Sequence, residues 1–248
     1  MTTLFDANIN QLKAIKVELT RFIMSYKFAL DEMMTKINIL KEEFNYIHDY
    51  NPIEHIKSRI KSPESLLDKM YRKGLPFSTQ AIRENIKDIA GIRIVCSFIS
   101  DIYALSDMLQ KQADIKIIET KDYIKNPKPN GYKSLHLILE IPVFMSDREE
   151  HLPVEIQIRT VAMDFWASLE HKIYYKFDEA VPKEMTDELK ATARLAADLD
   201  QRMENLHKEV NTIKDSHEAE DTLNSLQSAK GGYQLPLNLL KSFINEAE

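Results

Sequence analysis

Two carboxylates stand where they could do chemistry. Asp88 lies just ahead of the apolar run Ala90 to Phe98, and Glu155 sits inside the alternating string PVEIQIRT. Residues two apart in a strand share a face, so Glu155, Gln157 and Arg159 project together from a sheet otherwise built of Ile and Val. Carboxylates brought together from separate strands commonly hold Mg2+, which takes one or two of them plus phosphate oxygens. The plain alternative makes Asp88 a helix cap or arginine partner, and Glu155 a cross-strand ion pair with Arg93 or Arg159. Spacing alone leaves both open.

Two cationic groups could supply the phosphate contacts. In HIKSRIKSPESLLDKMYR, Arg59, Lys61, Lys69 and Arg72 gather around a helix start, and Ser65, Lys69 and Arg72 fall on one helical face. A solvated helix surface is the simpler reading of that cluster. In KDYIKNPKPNGYKSLH, Tyr132, Ser134 and His136 read as one strand face, with Lys121, Lys128 and Asn130 at its loop edge. A planar ring flanked by ammonium groups suits a purine stacked on tyrosine, its phosphates neutralised by lysine. Here too an ordinary lysine loop with a packed aromatic is the alternative. His48-Asp49 resembles a metal-binding pair, but the further histidines such a site needs are missing around it, and we read it as a decoy. His171 and Glu170 read as packing or positioning residues.

These groups need elements to hold them. Apolar residues recur at three and four from Asp6 to Tyr50, giving one long or two consecutive helices that end at Asn51-Pro52. A short helix follows with Ser62 as its N-cap, Pro63 at its first position and Gly74 as its stop. Next come a buried strand over Ile92 to Phe98, a helix capped by Ser100, a strand in DIKIIET, and a hairpin of YKSLHLILEIPVF with PVEIQIRT. The helix VAMDFWASLEHKIYYKF and a heptad-like stretch from Lys183 to about Lys214 complete the pattern. Helices and a small mixed sheet must share one core, an α+β arrangement with helical arms. The domains expected are an N-terminal arm over 1–50, a catalytic core over 51–182, and C-terminal helices and tail over 183–248.

Composition narrows the function. The 248 residues suffice for a full-sized core without disulfides, and the lone Cys96, within IAGIRIVCSFI, reads as a buried structural thiol. A net charge of -6 argues against a nucleic-acid coat, so any anion site must be local and DNA is not an expected partner. Neither GxGxxG nor GxxxxGK[ST] occurs among only five glycines, so side chains rather than a glycine loop must grip phosphate. With neither a leader pattern nor a membrane span legible, a cytoplasmic protein is expected.

In combination, RIKSPESLLDKMYRK, IKDIAGIRIVCSF, KDYIKNPKPNGYKSLH, VEIQIRT and FWASLEHKIYYK resemble the synthetase domain of RelA/SpoT-type alarmone synthetases, particularly the small single-domain members. The resemblance runs from about Glu54 to Phe177, with five motifs in the family's order. It implies a nucleotidyltransferase-like mixed sheet of about five strands flanked by helices. The activity implied is Mg2+-dependent transfer of the β,γ-pyrophosphate of ATP to the 3'-hydroxyl of GDP or GTP, with GMP a further candidate acceptor.

Carried over motif by motif, Arg59 and Arg93 would sandwich adenine, and Lys61, Ser65, Lys69 and Arg72 would hold the ATP phosphates. Asp88 would be the principal Mg2+ ligand; Glu155 would assist the metal and take the proton of the attacking hydroxyl, oriented by Gln157. Tyr132 would stack on guanine, Asn130 and Ala167 would shape its pocket, and Lys121, Lys128 and His136 would contact phosphates. The resemblance further implies a homotetramer joined by terminal helices. It leaves RNA regulation open, and the tail from Lys214 finds no motif match. Long family members carry a hydrolase domain ahead of this one; synthesis without hydrolysis is expected here. Two other functions were weighed: a silent nucleotide- or RNA-binding module, which the presence of both Asp88 and Glu155 disfavours, and a transferase of NMP, whose usual Gly-Ser motif and acidic triad are lacking.

Overall fold

The computed structural model describes residues 2–48, 50–174 and 182–217. A single helix α1 (Thr2–Ile47) precedes β1 (Ile53–Ile60), α2 (Pro63–Lys73), α3 (Thr79–Asn85), β2 (Ala90–Cys96) and α4 (Ile99–Gln110). Then follow β3 (Lys116–Asp122), β4 (Leu135–Phe144), β5 (Glu149–Thr160), α5 (Val161–Tyr174) and α6 (Lys183–His217). The sheet order is β1-β2-β5-β4-β3, with β2 and β5 parallel and the other pairs antiparallel. This is the expected α+β fold with a mixed five-stranded sheet.

Register divides the sheet into two chemically different faces. Ile92 and Ile94 pair with Ile156 and Ile158, which pair in turn with Leu137 and Leu135. That face is buried with Phe22, Tyr26, Met33 and Ile37 of α1 and Ile102, Leu105 and Leu109 of α4. On the opposite face, Arg59 meets Gly91, which meets Glu155, while Lys57, Arg93, Gln157, His136 and Lys121 form the adjacent cross-strand row. Alternation at period two thus makes one face core and the other a row of polar groups.

Several local expectations change. β1 was not anticipated: IEHIKSRI is an edge strand with one fully buried residue, Ile53, and its charges hide it from a hydrophobic search. Arg59 therefore lies on a strand rather than beside a helix start. The seven-residue α3 was also unread. Ser100 does not cap α4, which begins at Ile99; the Phe98 amide donates to Asp101 Oδ2 at 2.9 Å instead. β4 begins at Leu135, so Tyr132 and Ser134 stand in the segment before it, and β5 starts at Glu149, four residues ahead of PVEIQIRT. By contrast, the Ser62 cap, Pro63 and the Gly74 stop at φ 62° are as expected.

Helix α6 is bound to this core through its acids. Glu204 accepts the Ile99 and Ser100 amides at 2.8 and 3.2 Å, filling the N-terminus of α4, and Asp200 accepts the Thr160 hydroxyl at 2.6 Å. Thr160 Oγ1 in turn accepts the Met163 amide at the start of α5. Both helix starts thus depend on residues remote in sequence. Among the described residues, no helix is long and apolar enough to cross a membrane.

Candidate active site

Asp88 stands two residues ahead of β2, whose Gly91 is the register partner of Glu155. Lys69 Nζ and Lys61 Nζ approach Asp88 Oδ2 at 2.7 and 3.0 Å. Burial works to raise the Asp88 carboxyl, but these two ammonium groups outweigh it and hold it below the usual carboxylate range. Asp88 is neither helix cap nor arginine partner. Its other oxygen, Oδ1, is buried with no hydrogen-bond partner. A buried acceptor without a donor is costly, and a cation there would remove the cost.

Glu155 is held by neighbours on its own sheet face. Its Oε1 lies 3.3 Å from His136 Nδ1, and its Oε2 accepts from Gln157 Nε2 at 3.0 Å. Burial raises its carboxyl; His136 outweighs that and keeps it low, while the charge of Asp88 pushes the other way. The two carboxylates therefore sense each other. Neither arginine suggested as a partner of Glu155 takes that role: Arg93 NH1 and Arg159 NH1 both lie on Asp164 Oδ1, at 3.2 and 3.3 Å. No group of three or more His, Cys, Asp or Glu side chains arranged for metal occurs among the described residues. Two acids with an unsatisfied oxygen fit a Mg2+ that draws its remaining ligands from phosphate and water.

On one side of Glu155 opens a cleft of about 250 Å3 whose lining includes Lys57, Arg59, Gly91, Arg93, Glu155 and Gln157. It is wide enough for part of a nucleotide, and two arginines from adjacent strands face it, suited to stacking on a base. Ser65 and Arg72 are exposed on α2, the helix whose Lys69 reaches Asp88.

On the other side lies the Tyr132 segment. The tyrosine hydroxyl meets His136 Nε2 at 2.8 Å and receives a hydrogen bond from Arg159 NH2, which also donates to Gln157 Oε1 at 2.9 Å. The circuit Glu155, His136, Tyr132, Arg159, Gln157 closes back on Glu155. Lys128 Nζ sits 4.7 Å from the ring centroids of both Tyr123 and Tyr132. Asn130 accepts the Tyr132 amide and donates to Glu170 at 3.1 Å, so Glu170 touches the Tyr132 segment through Asn130. Lys121, cross-strand from His136, pairs with Glu119 at 2.9 Å.

Ala167 is buried with Trp166 and Ala193 in the cluster against which Tyr132 packs. Gly131 has φ 93°, and a Cβ there would lie 2.5 Å from Ala193 Cβ, so backbone strain and the approach of α6 both require glycine.

Arg59, Arg93, Glu155, Gln157 and His136 share one polar sheet face, with Asp88, Lys61 and Lys69 joined to one another at its edge and Tyr132 bonded to His136; Ser65 and Arg72 stand exposed on α2, and Ala167 packs behind Tyr132. His48 of the decoy pair tilts against Phe44, and Asp49 lies outside the described residues. Cys96 is fully buried, its thiol pushed up by burial, as a structural cysteine should be. Sequence reasoning missed Asp164, 8% exposed, and Lys57. An acid in a helical first turn ordinarily reads as a dipole partner, which conceals a charge hub.

Such a fold, with cationic side chains gathered around half-buried carboxylates, is that of an α+β protein suited to nucleotide phosphates, and the comparisons name the family. Residues 58–180 match the family described as the region found in RelA / SpoT proteins. GTP pyrophosphokinase YwaC of Bacillus subtilis is 53% identical over 203 residues, spanning 82% of this chain and 97% of the relative. Among solved structures, small alarmone synthetase 2 of Bacillus subtilis aligns with TM-score 0.69 and 55% identity over 75% of this chain and 96% of its own. Small alarmone synthetase 1 of the same organism, bound to its product pppGpp, aligns with TM-score 0.72 and 36% identity over 78% and 98%. The chain belongs to the RelA/SpoT family, among its small alarmone synthetases.

Proposed function

We propose that this chain is a GTP pyrophosphokinase, transferring the β,γ-pyrophosphate of ATP to the 3'-hydroxyl of GDP or GTP to give ppGpp or pppGpp and AMP. One observation supports the reading: Glu155, on the polar sheet face between an arginine-lined cleft and the Tyr132 segment, lies within electrostatic reach of Asp88, whose Oδ1 is buried without a partner.

In this reading Arg59 and Arg93 hold the adenine, and Lys61, Ser65, Lys69 and Arg72 lead the phosphates toward Asp88. Tyr132 receives the guanine within the pocket shaped by Asn130 and Ala167, while Lys121, Lys128 and His136 take acceptor phosphates. Mg2+, held by Asp88 with help from Glu155, would supply charge neutralisation on the transferred group. Glu155, ionised and fixed by Gln157 and His136, accepts the proton of the 3'-hydroxyl as the hydroxyl attacks the β-phosphorus and AMP leaves. GMP is a further candidate acceptor.

The same reading takes 51–182 as the catalytic core, with 1–50 an N-terminal helical arm and 183–248 C-terminal helices and tail serving oligomerisation or regulation. The assembly is a homotetramer, and the compartment is the cytoplasm. Association between copies is supported by an apolar stripe that α6 exposes through Leu195, Leu199, Leu206 and Val210. Both carboxylates are in place, and nothing in the site favours a silent module.

Incubation with ATP, Mg2+ and GDP should yield AMP and a 3'-pyrophosphorylated guanosine nucleotide in equal amounts. A folded protein that releases no AMP under saturating guanine nucleotide would refute the proposal.

A further inference from the structure

Arg159 is 4% exposed, yet it spends its donors on four partners. Its NH2 serves Tyr132 and Gln157, its NH1 lies 3.3 Å from Asp164 Oδ1, and its Nε reaches Ser134 Oγ at 3.4 Å. Gln157 passes the connection to Glu155 at 3.0 Å. Too buried to face a nucleotide, this guanidinium has only internal work to do.

Asp164 extends the connection to the other side. The same Oδ1 that holds Arg159 also holds Arg93 at 3.2 Å, and Arg93 lines the arginine-walled cleft. Three residues therefore link the cleft to the tyrosine segment: Arg93, Asp164 and Arg159. A guanidinium is a planar fork whose donors cannot move independently. A base that drew Arg93 away would leave Asp164 Oδ1 to Arg159 alone, and a tilt of Arg159 would be felt at Tyr132 and Gln157. His55 Nε2, 3.9 Å from Asp164 Oδ2, is too distant to compete in this sharing.

We propose that Arg159 and Asp164 are positioning residues that couple occupancy of the ATP cleft to the acceptor segment. The proposal rests on the assignment of donor and acceptor sides given above. Coupling of this kind is a free energy between two sites, and it is measurable in binding without turnover.

The test is calorimetric titration of the full chain with GDP and Mg2+, with and without saturating AMPCPP. In the wild type the analogue should change GDP affinity by about fivefold or more. Asp164→Asn, which keeps shape and removes the shared charge, should bring that factor within about twofold of unity. Tyr132→Phe, which keeps the ring and deletes only the hydroxyl at the far end, should do the same without leaving a buried charge unpaired. A merely structural role would change the folded fraction and leave the coupling factor alone. A wild type that binds both nucleotides with no coupling, or either folded variant keeping the full factor, overturns the proposal. A wild type that binds neither nucleotide removes the functional reading, and the coupling falls with it.

Discussion

Asp88 carries opposite demands on its two oxygens. One is saturated by Lys61 and Lys69; the other is buried without a partner. Substituting Asp88→Asn would release both lysines to the phosphates while removing the ligand for the cation. Metal-free ATP, titrated in EDTA, should then bind at least as tightly as to the wild type. Turnover with Mg2+ should fall by about 10³ or more, the scale of losing several kcal/mol of charge stabilisation. A variant that weakens metal-free ATP binding would show that Asp88, rather than the lysines, orders this corner. Lys61 and Lys69 could be singled out in the sequence as candidate phosphate contacts. Their hold on Asp88 could not, because nothing local in RIKSPESLLDKMYRK points to an acid 19 residues beyond Lys69.

At the scale of elements, what could be read in advance was local. Ser62, Pro63 and Gly74 mark both ends of α2, and the alternation in LHLILEI marks a strand. What escaped was non-local or masked by charge: β1 as a charged edge strand, and the Glu204 carboxylate that fills the start of α4 from more than 100 residues away. Burial raises the Glu204 carboxyl, but Lys208 and the α4 amides outweigh it, so its folded value is lowered. A depressed carboxyl contributes stability above its unfolded value and loses it as pH falls through the folded one. Glu204→Gln should therefore lower Tm at pH 7 by an amount corresponding to about 1–2 kcal/mol, and the gap should close as pH falls below the ordinary carboxylate range. An equal gap at pH 7 and pH 3 would remove the charge from this account. Gly131→Ala, strained at φ 93° and pressed on Ala193, should raise the acceptor KM more than the ATP KM, because it displaces the Tyr132 segment from α6.

For the whole molecule, the sheet separates stability from chemistry. One face is closed by α1 and α4, while the other holds the polar groups, bounded by α2 on the donor side and by α5 and α6 behind the acceptor segment. The inner face of α6, through Leu189, Ala193 and Ala196, supports Tyr132, and its outer apolar stripe is the surface proposed for assembly. Leu199→Glu with Leu206→Glu should shift the protein to a smaller species in light scattering while the monomer fold, read by circular dichroism, persists. An unchanged mass would place the interface elsewhere.

Pyrophosphoryl transfer at Asp88 and Glu155 is tested most directly with ATP labelled at its β-phosphate. With GDP and Mg2+, the wild type should move the label to the 3'-position and release AMP in equal amount. Glu155→Gln should still bind AMPCPP but transfer no label. Production of ADP instead of AMP, or label transfer by Glu155→Gln at the wild-type rate, would contradict it.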